Sequence, residues 1–178
     1  MKKNILTLVL VAFAGTVFAQ SNFAYIYRDS VLMATPKYVD NIKKVDSLQK
    51  AYAKEIKDTQ EQLNGKLGAL LKGYNVKENE NIDQIKSRMT AVDTTSLSLL
   101  MQEDKMMQTK AKSYDNLVNF AFQKDVQPLV DKVNKAIEKY AVTNKIDMVY
   151  MMEDIQPAVA YINRKKNITK VIIEAVKK

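Results

Sequence analysis

The spacing of apolar positions changes along this chain, and each change marks an element. An apolar run from Ile5 to Leu10 continues through Val11 to Phe18, directly behind Lys2 and Lys3. Asn22 to Tyr27 (NFAYIY) is short, aromatic and β-prone and stops at Arg28-Asp29-Ser30, which predicts a strand followed by a helix cap. A brief helical stretch through Val31, Leu32 and Met33 should end before Pro36, because a proline pushes its predecessor out of helical geometry. Thr35 is then the expected N-cap, and Pro36 the first helical residue, of a longer helix from about Lys37 to Leu71.

That longer helix carries the clearest pattern. Val45, Leu48, Tyr52, Ile56, Thr59, Leu63, Leu67, Leu70 and Tyr74 follow one another at steps of 3, 4, 4, 3, 4, 4, 3 and 4. The repeat is therefore eleven residues, at which helices run nearly straight or coil slightly to the right. Such a helix extends about 50 Å, longer than a globule of this chain length is wide, so it should project. Gly65, Gly68 and Gly73 weaken its far end, and the polar stretch 73–81 (GYNVKENEN) predicts a loose tip where the chain reverses.

A second long helix should return from Ile82 to Tyr140. Its wider stripe uses Ile85, Met89, Val92, Leu99 or Leu100, Met106 or Met107, Tyr114, Leu117 or Val118, Phe122, Val130, Val133 and Ile137. Pro128 predicts a kink or short break near Gln127. Two short strands, Ile146 to Met152 and Pro157 to Ile162, should then turn at Glu153 to Gln156. A last amphipathic helix covers Asn167 to Val176, with Asn167 as its cap; Asn167-Ile168-Thr169 also fits a glycosylation acceptor, which the cap explains better.

The predicted fold class is α+β, predominantly α. It comprises a small β body with three short strands per chain and a long protruding antiparallel helical hairpin. Residues 20–38 and 128–178 make a discontinuous body, and 39–127 the arm. The three strands must pair, since an isolated two-stranded hairpin is marginal in water.

Charge and composition refine this picture. The basic start, the apolar run of residues 5–18 and Val17-Phe18-Ala19 read as an export signal, residues 1–19, cleaved after Ala19. The remainder has 159 residues and no Cys, so neither a disulfide nor a lipidated cysteine is available to it. Its stability must come from apolar packing or subunit association. After cleavage 26 basic side chains face 20 acidic ones, and most of the excess sits at the C-terminus. There Arg164, Lys165, Lys166, Lys170, Lys177 and Lys178 are opposed by Glu174 alone, a cluster able to attract anionic lipid, nucleic acid or other acidic partners.

The residue inventory argues against catalysis. Without His or Cys there is no imidazole base, thiol nucleophile or usual zinc ligand set, and without a Gly-rich phosphate loop no nucleotide-driven work is expected. The adjacent carboxylates Glu103-Asp104 and Glu153-Asp154 read as solvated charge. Leu99, Leu100, Met101, Met106 and Met107 stand out instead: five soft apolar residues within nine exceed what one helical seam needs. Some should face outward or into a cavity, where they can bind varied clients.

Several segments resemble the Skp/OmpH family of periplasmic chaperones. Ala24-Tyr25-Ile26-Tyr27 with Asp29-Ser30 is similar to the family's first strand and small helix. Ala136 to Tyr140 and Ile146-Asp147-Met148-Val149 resemble its end-of-helix and strand, and Ala158-Val159-Ala160-Tyr161 its next strand. Asn167-Ile168-Thr169 through Val176-Lys177-Lys178 resembles its closing helix. The resemblance implies a cofactor-free, non-enzymatic holdase of the periplasm. Its body strands, here Tyr25, Ile26, Tyr27, Met148, Val149, Val159 and Tyr161, would assemble a homotrimer. Three arms would then enclose unfolded outer-membrane proteins without ATP, with no specific nucleic acid as partner.

One departure from the family is that its arm tips are strongly basic. Here Lys72, Lys77, Lys86 and Arg88 are matched by Glu78, Glu80, Asp83 and Asp93, which moves any contact with anionic lipid or lipopolysaccharide to Arg164, Lys165, Lys166 and Lys170. Two other readings of the residues are an adaptor coiled-coil protein of the envelope and a binder of anionic lipid or nucleic acid through 164–178. The missing aromatic platforms in that tail weigh against nucleic acid.

Overall fold

A computed structural model describes residues 22–77 and 79–178; the expected signal, residues 1–19, lies outside the described residues. In chain order the elements are strand β1 (Phe23–Ile26), α1 (Arg28–Ala34), α2 (Tyr38–Leu71), α3 (Ile82–Lys86), α4 (Ala91–Asp125), α5 (Gln127–Thr143), β2 (Met148–Met151), α6 (Met152–Ile155) and α7 (Thr169–Lys177). Short 3-10 turns occupy Lys72–Tyr74, Gln156–Ala158 and Arg164–Lys166. The class is α+β and predominantly α. The chain divides into two compact units, one of residues up to Val39 together with Gln127–Lys178, the other Asp40–Val126.

In the first unit β1 and β2 pair in parallel, Phe23 opposite Met148 through Ile26 opposite Met151. Parallel pairing follows from the connection: a chain that leaves β1 and returns only after several helices makes a crossover rather than a tight hairpin. The sheet has these two strands among the described residues, so the expected third strand is not formed. Pro157 lacks an N–H and begins a 3-10 turn with its neighbours, α6 replaces the expected tight reversal, and 159–163 runs on without strand pairing. The open edge of β1 is taken instead by the segment before α7. The Ile168 N–H donates to the Tyr25 carbonyl (3.0 Å), and the Tyr27 N–H donates to Thr169 Oγ1 (3.0 Å).

The core of this unit lies under α1, α5 and α7, which pack on one another. Ile26, Val31, Val133, Ile172 and Val176 are fully buried, and Ile168, Ile172 and Val176 show the four-residue step that lines one face of a helix. The Lys132 ammonium donates to the carbonyl of Val176 (2.7 Å), satisfying an acceptor that the end of α7 would otherwise leave open.

Two expected caps are placed differently. Thr35 is buried and its hydroxyl donates back to the Val31 carbonyl (2.9 Å), so it closes α1 and does not open α2. Pro36 and Lys37 form the turn between them: the Tyr38 N–H reaches the Thr35 carbonyl (3.1 Å), and Lys37 takes a left-handed φ of 66°. Asn167 stands one residue before the N-cap of α7, Ile168, and its Oδ1 accepts from the Thr169 N–H (2.9 Å), which with the buried Thr169 leaves the glycosylation reading without support.

In the second unit α2 spans 34 residues, about 51 Å at 1.5 Å per residue. All nine stripe positions from Val45 to Tyr74 are buried or half-buried, while most other residues of the helix are exposed. Pairs across the unit run Asn41 to Asp125, Glu55 to Lys110 and Tyr114, Lys66 to Glu103 and Tyr74 to Asp93. Partners on α4 recede as those on α2 advance, so the two long helices are antiparallel.

The returning helix is not one rod. It pauses at Val126, one residue before the expected break, where Pro128 would have no N–H for the preceding turn. It also pauses at Ser87–Thr90, a break absent from the sequence reading. Thr90 caps α4 there, its hydroxyl oxygen accepting from the Asp93 N–H (3.1 Å), and the Thr-x-x-Asp signature of residues 90–93 carried that signal.

Candidate functional site

The α4 helix must satisfy one seam against α2. Leu97, Leu100, Asp104, Met107, Ala111, Tyr114, Val118 and Phe122 are the buried or half-buried residues that do so, at three- and four-residue steps. Of the paired alternatives in the sequence, the structure selects Leu100, Met107 and Val118. Val92, expected in the stripe, is exposed, and Leu97, not expected there, is among the most deeply buried side chains. The apolar step that continues from Leu100 back by three residues pointed to Leu97.

Selection of that seam leaves apolar side chains over. Leu99, Met101 and Met106 are 55%, 48% and 65% exposed, whereas Met107 is 7% exposed. The five residues singled out by sequence therefore divide: Leu100 and Met107 hold the helices together, and Leu99, Met101 and Met106 remain in solvent. Val92 and Phe120, which sequence reasoning did not assign to a surface, add to the exposed apolar set on the same helix.

A groove of about 960 Å³ runs between α2 and α4 at this level, with Leu63, Met106 and Met107 as its apolar lining and Lys66, Glu103, Lys105 and Lys110 as charged lining. Lys66 is bonded to Glu103 (3.0 Å) on the groove wall. Next to it the helices are pinned by a polar cluster. The Tyr52 and Tyr114 rings stack with centroids 3.9 Å apart at 3°, Tyr114 donates to Glu55 (2.7 Å), and Lys110 donates to the other oxygen of Glu55. The Lys110 ammonium and then the Tyr114 hydroxyl hold the Glu55 carboxyl below its ordinary value.

The tip, expected to be loose, is folded on a second polar network. Tyr74 donates its hydroxyl to Asp93, Thr90 adds a bond to the same carboxylate (2.8 Å), and Arg88 spans Glu80 and the Tyr74 carbonyl (2.9 Å). Asn81 and Gln84 cap each other reciprocally at the start of α3. Tyr74, followed by Thr90, lowers the Asp93 carboxyl, and Arg88 lowers that of Glu80.

The body residues named from sequence also divide. Tyr25 and Ile26 are buried inside their own unit; Val149 and Val159 are half-buried; Tyr27, Met148 and Tyr161 are exposed, Tyr161 at 85%. Arg164, Lys165 and Lys170 are exposed and form no ion pair among the described residues. Lys166 is engaged within its unit, donating to Asn22 Oδ1 (2.9 Å) with its ammonium 5.5 Å from the Phe23 ring centre. No cluster of carboxylates able to hold a metal ion occurs among the described residues, and no described helix is long and apolar enough to cross a membrane.

Soft apolar side chains thus stand exposed on a helix pair that is held by its own seam and by polar clusters. Comparison with curated proteins finds no match. A family model described as outer membrane protein (OmpH-like) matches residues 22–176, which takes in both strands and every helix, so the chain belongs to the OmpH-like family.

Proposed function

We propose that this protein is an ATP-independent periplasmic holdase that binds unfolded outer-membrane proteins and keeps them from aggregating. Membership of the OmpH-like family supports the outer-membrane client class and the envelope location. The observation that carries the mechanism is the surplus of exposed Leu99, Met101 and Met106, with Met106 on the groove, on a helix whose seam is already filled. Unbranched thioether side chains repack against many sequences, and Lys105, which forms no ion pair among the described residues, attracts acidic stretches, so clients of differing sequence are held by weak, reversible contacts.

In this reading residues 1–19 direct export and leave after Ala19. Residues 20–38 with 128–178 form the oligomerising body, and 39–127 the arm. Three bodies associate through exposed apolar groups including Tyr27, Met148 and Tyr161, and the arms surround the client. Arg164, Lys165 and Lys170 give the body a contact for anionic lipid or lipopolysaccharide.

The test dilutes a urea-denatured β-barrel outer-membrane protein into buffer without nucleotide and follows light scattering. The chain from Gln20 onward should suppress scattering, and its mass in solution should be that of a trimer. Unchanged scattering at excess chaperone would refute the holdase reading, and a monomeric mass would refute the assembly.

A further inference from the structure

The chain carries nine methionines and neither cysteine nor tryptophan, so thioether sulfur is the side-chain group most open to two-electron oxidation. The described methionines differ sharply in environment. Met107 and Met152 are buried, whereas Met33, Met101, Met106 and Met148 are exposed. Met101 and Met106 belong to the exposed apolar set of α4, and Met106 lines the groove together with Leu63 and Lys110.

We propose that Met101 and Met106, exposed on opposite flanks of the α4 seam, are oxidation sites through which a hydroperoxide, hydrogen peroxide being the simplest, turns off client binding. The inference rests on the holdase reading. A lone pair on Sδ attacks the hydroxyl oxygen of the peroxide, an S–O bond forms as the O–O bond breaks, and the proton of that hydroxyl passes to the departing oxygen, which leaves as water from hydrogen peroxide or as an alcohol from an organic hydroperoxide. Sulfur is oxidised by two electrons and the peroxide is reduced by the same two. The product sulfoxide is polar, so the apolar area that a client would cover shrinks at the two positions that supply most of its flexibility.

Met107 is shielded in the seam one residue away, and the Tyr52, Glu55, Lys110 and Tyr114 cluster contains no oxidisable sulfur. Oxidation therefore changes the surface while the helix pair stays folded. A face that depended on Leu, Ile or Phe alone would have no such sensitivity.

The experiment treats the chain from Gln20 onward with graded hydrogen peroxide, maps sulfoxides by peptide mass, and measures aggregation suppression and far-ultraviolet circular dichroism on the same samples. Met101 and Met106 should convert several-fold faster than Met107 and Met152, and suppression should fall several-fold in step with them at unchanged helicity. The M101L/M106L variant, compared with its own untreated sample, should lose nothing at that dose; M33L should lose as much as the parent. Suppression that survives complete conversion of Met101 and Met106, or equal loss in M101L/M106L, overturns the switch. Untreated protein that suppresses nothing overturns the holdase reading instead.

Discussion

Met106 and Met107 are neighbours in sequence with opposite surroundings, so truncating each to alanine separates folding from binding. Met107 is 7% exposed. Complete burial of a methionine contributes about 1.5–3 kcal/mol, nearly all of which is lost in Met107→Ala, and the void left in the seam raises the cost to roughly 2–4 kcal/mol. Met106 is 65% exposed, so only a third of its surface is withdrawn from water. Met106→Ala then costs about 0.5–1 kcal/mol, less the few tenths that alanine gains in helix propensity. Urea unfolding followed at 222 nm reads the stability change, and light scattering of a diluted outer-membrane protein reads holding. Met107→Ala should lower the unfolding midpoint markedly and, below that midpoint, leave holding nearly intact. Met106→Ala should do the reverse. Equal stability losses, or holding impaired only by Met107→Ala, would refute the division of α4 into seam and binding face.

Other expectations follow from the arm. A methyl group added at Gly65 or Gly68 meets nothing within 4 Å, so Gly65→Ala and Gly68→Ala should each stabilise α2 by about 1 kcal/mol, read as a higher urea midpoint. Thr90→Ala removes the cap of α4 and should cost about 1 kcal/mol, with faster amide exchange at Asp93 than in the parent. Glu55, Glu80 and Asp93 all have lowered carboxyl values, so the stability they give is complete above the ordinary values of 4.5, 4.5 and 3.8. It is lost as pH falls through their lower folded values. An acid titration should therefore loosen the tip and the Tyr52–Tyr114 region, and Glu55→Gln should remove its share of that acid sensitivity.

How far the fold could be read from sequence depended on whether a signal was local or relational. The α2 stripe was legible because its eleven-residue period is a property of one helix, and all nine of its positions are at least half-buried. The pause near Gln127 was legible because Pro128 acts on its own backbone. The third strand was misread because β-prone composition at Val159 to Tyr161 does not supply a neighbouring strand edge, and Ile168 and Thr169 had taken the edge of β1. Thr35 was misread for the same reason: a threonine before proline suits an N-cap, but the Val31 carbonyl was nearer. At the candidate site, sequence found the apolar surplus but not its division, since choosing Met107 over Met106 requires knowing which face of α4 meets α2.

That division also sets what one arm can do alone. The exposed fractions of Leu99, Met101 and Met106 amount to about one and two-thirds side chains' worth of apolar surface. At about 1.5–3 kcal/mol for each fully buried side chain, covering them yields roughly 2.5–5 kcal/mol before any loss of client freedom. A millimolar dissociation constant corresponds to about 4.1 kcal/mol, so in the proposed holdase one arm would hold a client at best in about that range. Tight holding then requires several arms acting on one chain, each raising the effective concentration of the next to about millimolar. The weakness of the individual surface is thus an argument for assembly. A variant with charges placed at exposed body positions such as Met148 and Tyr161, made monomeric with its arms intact, should lose far more holding than a threefold dilution of arms explains.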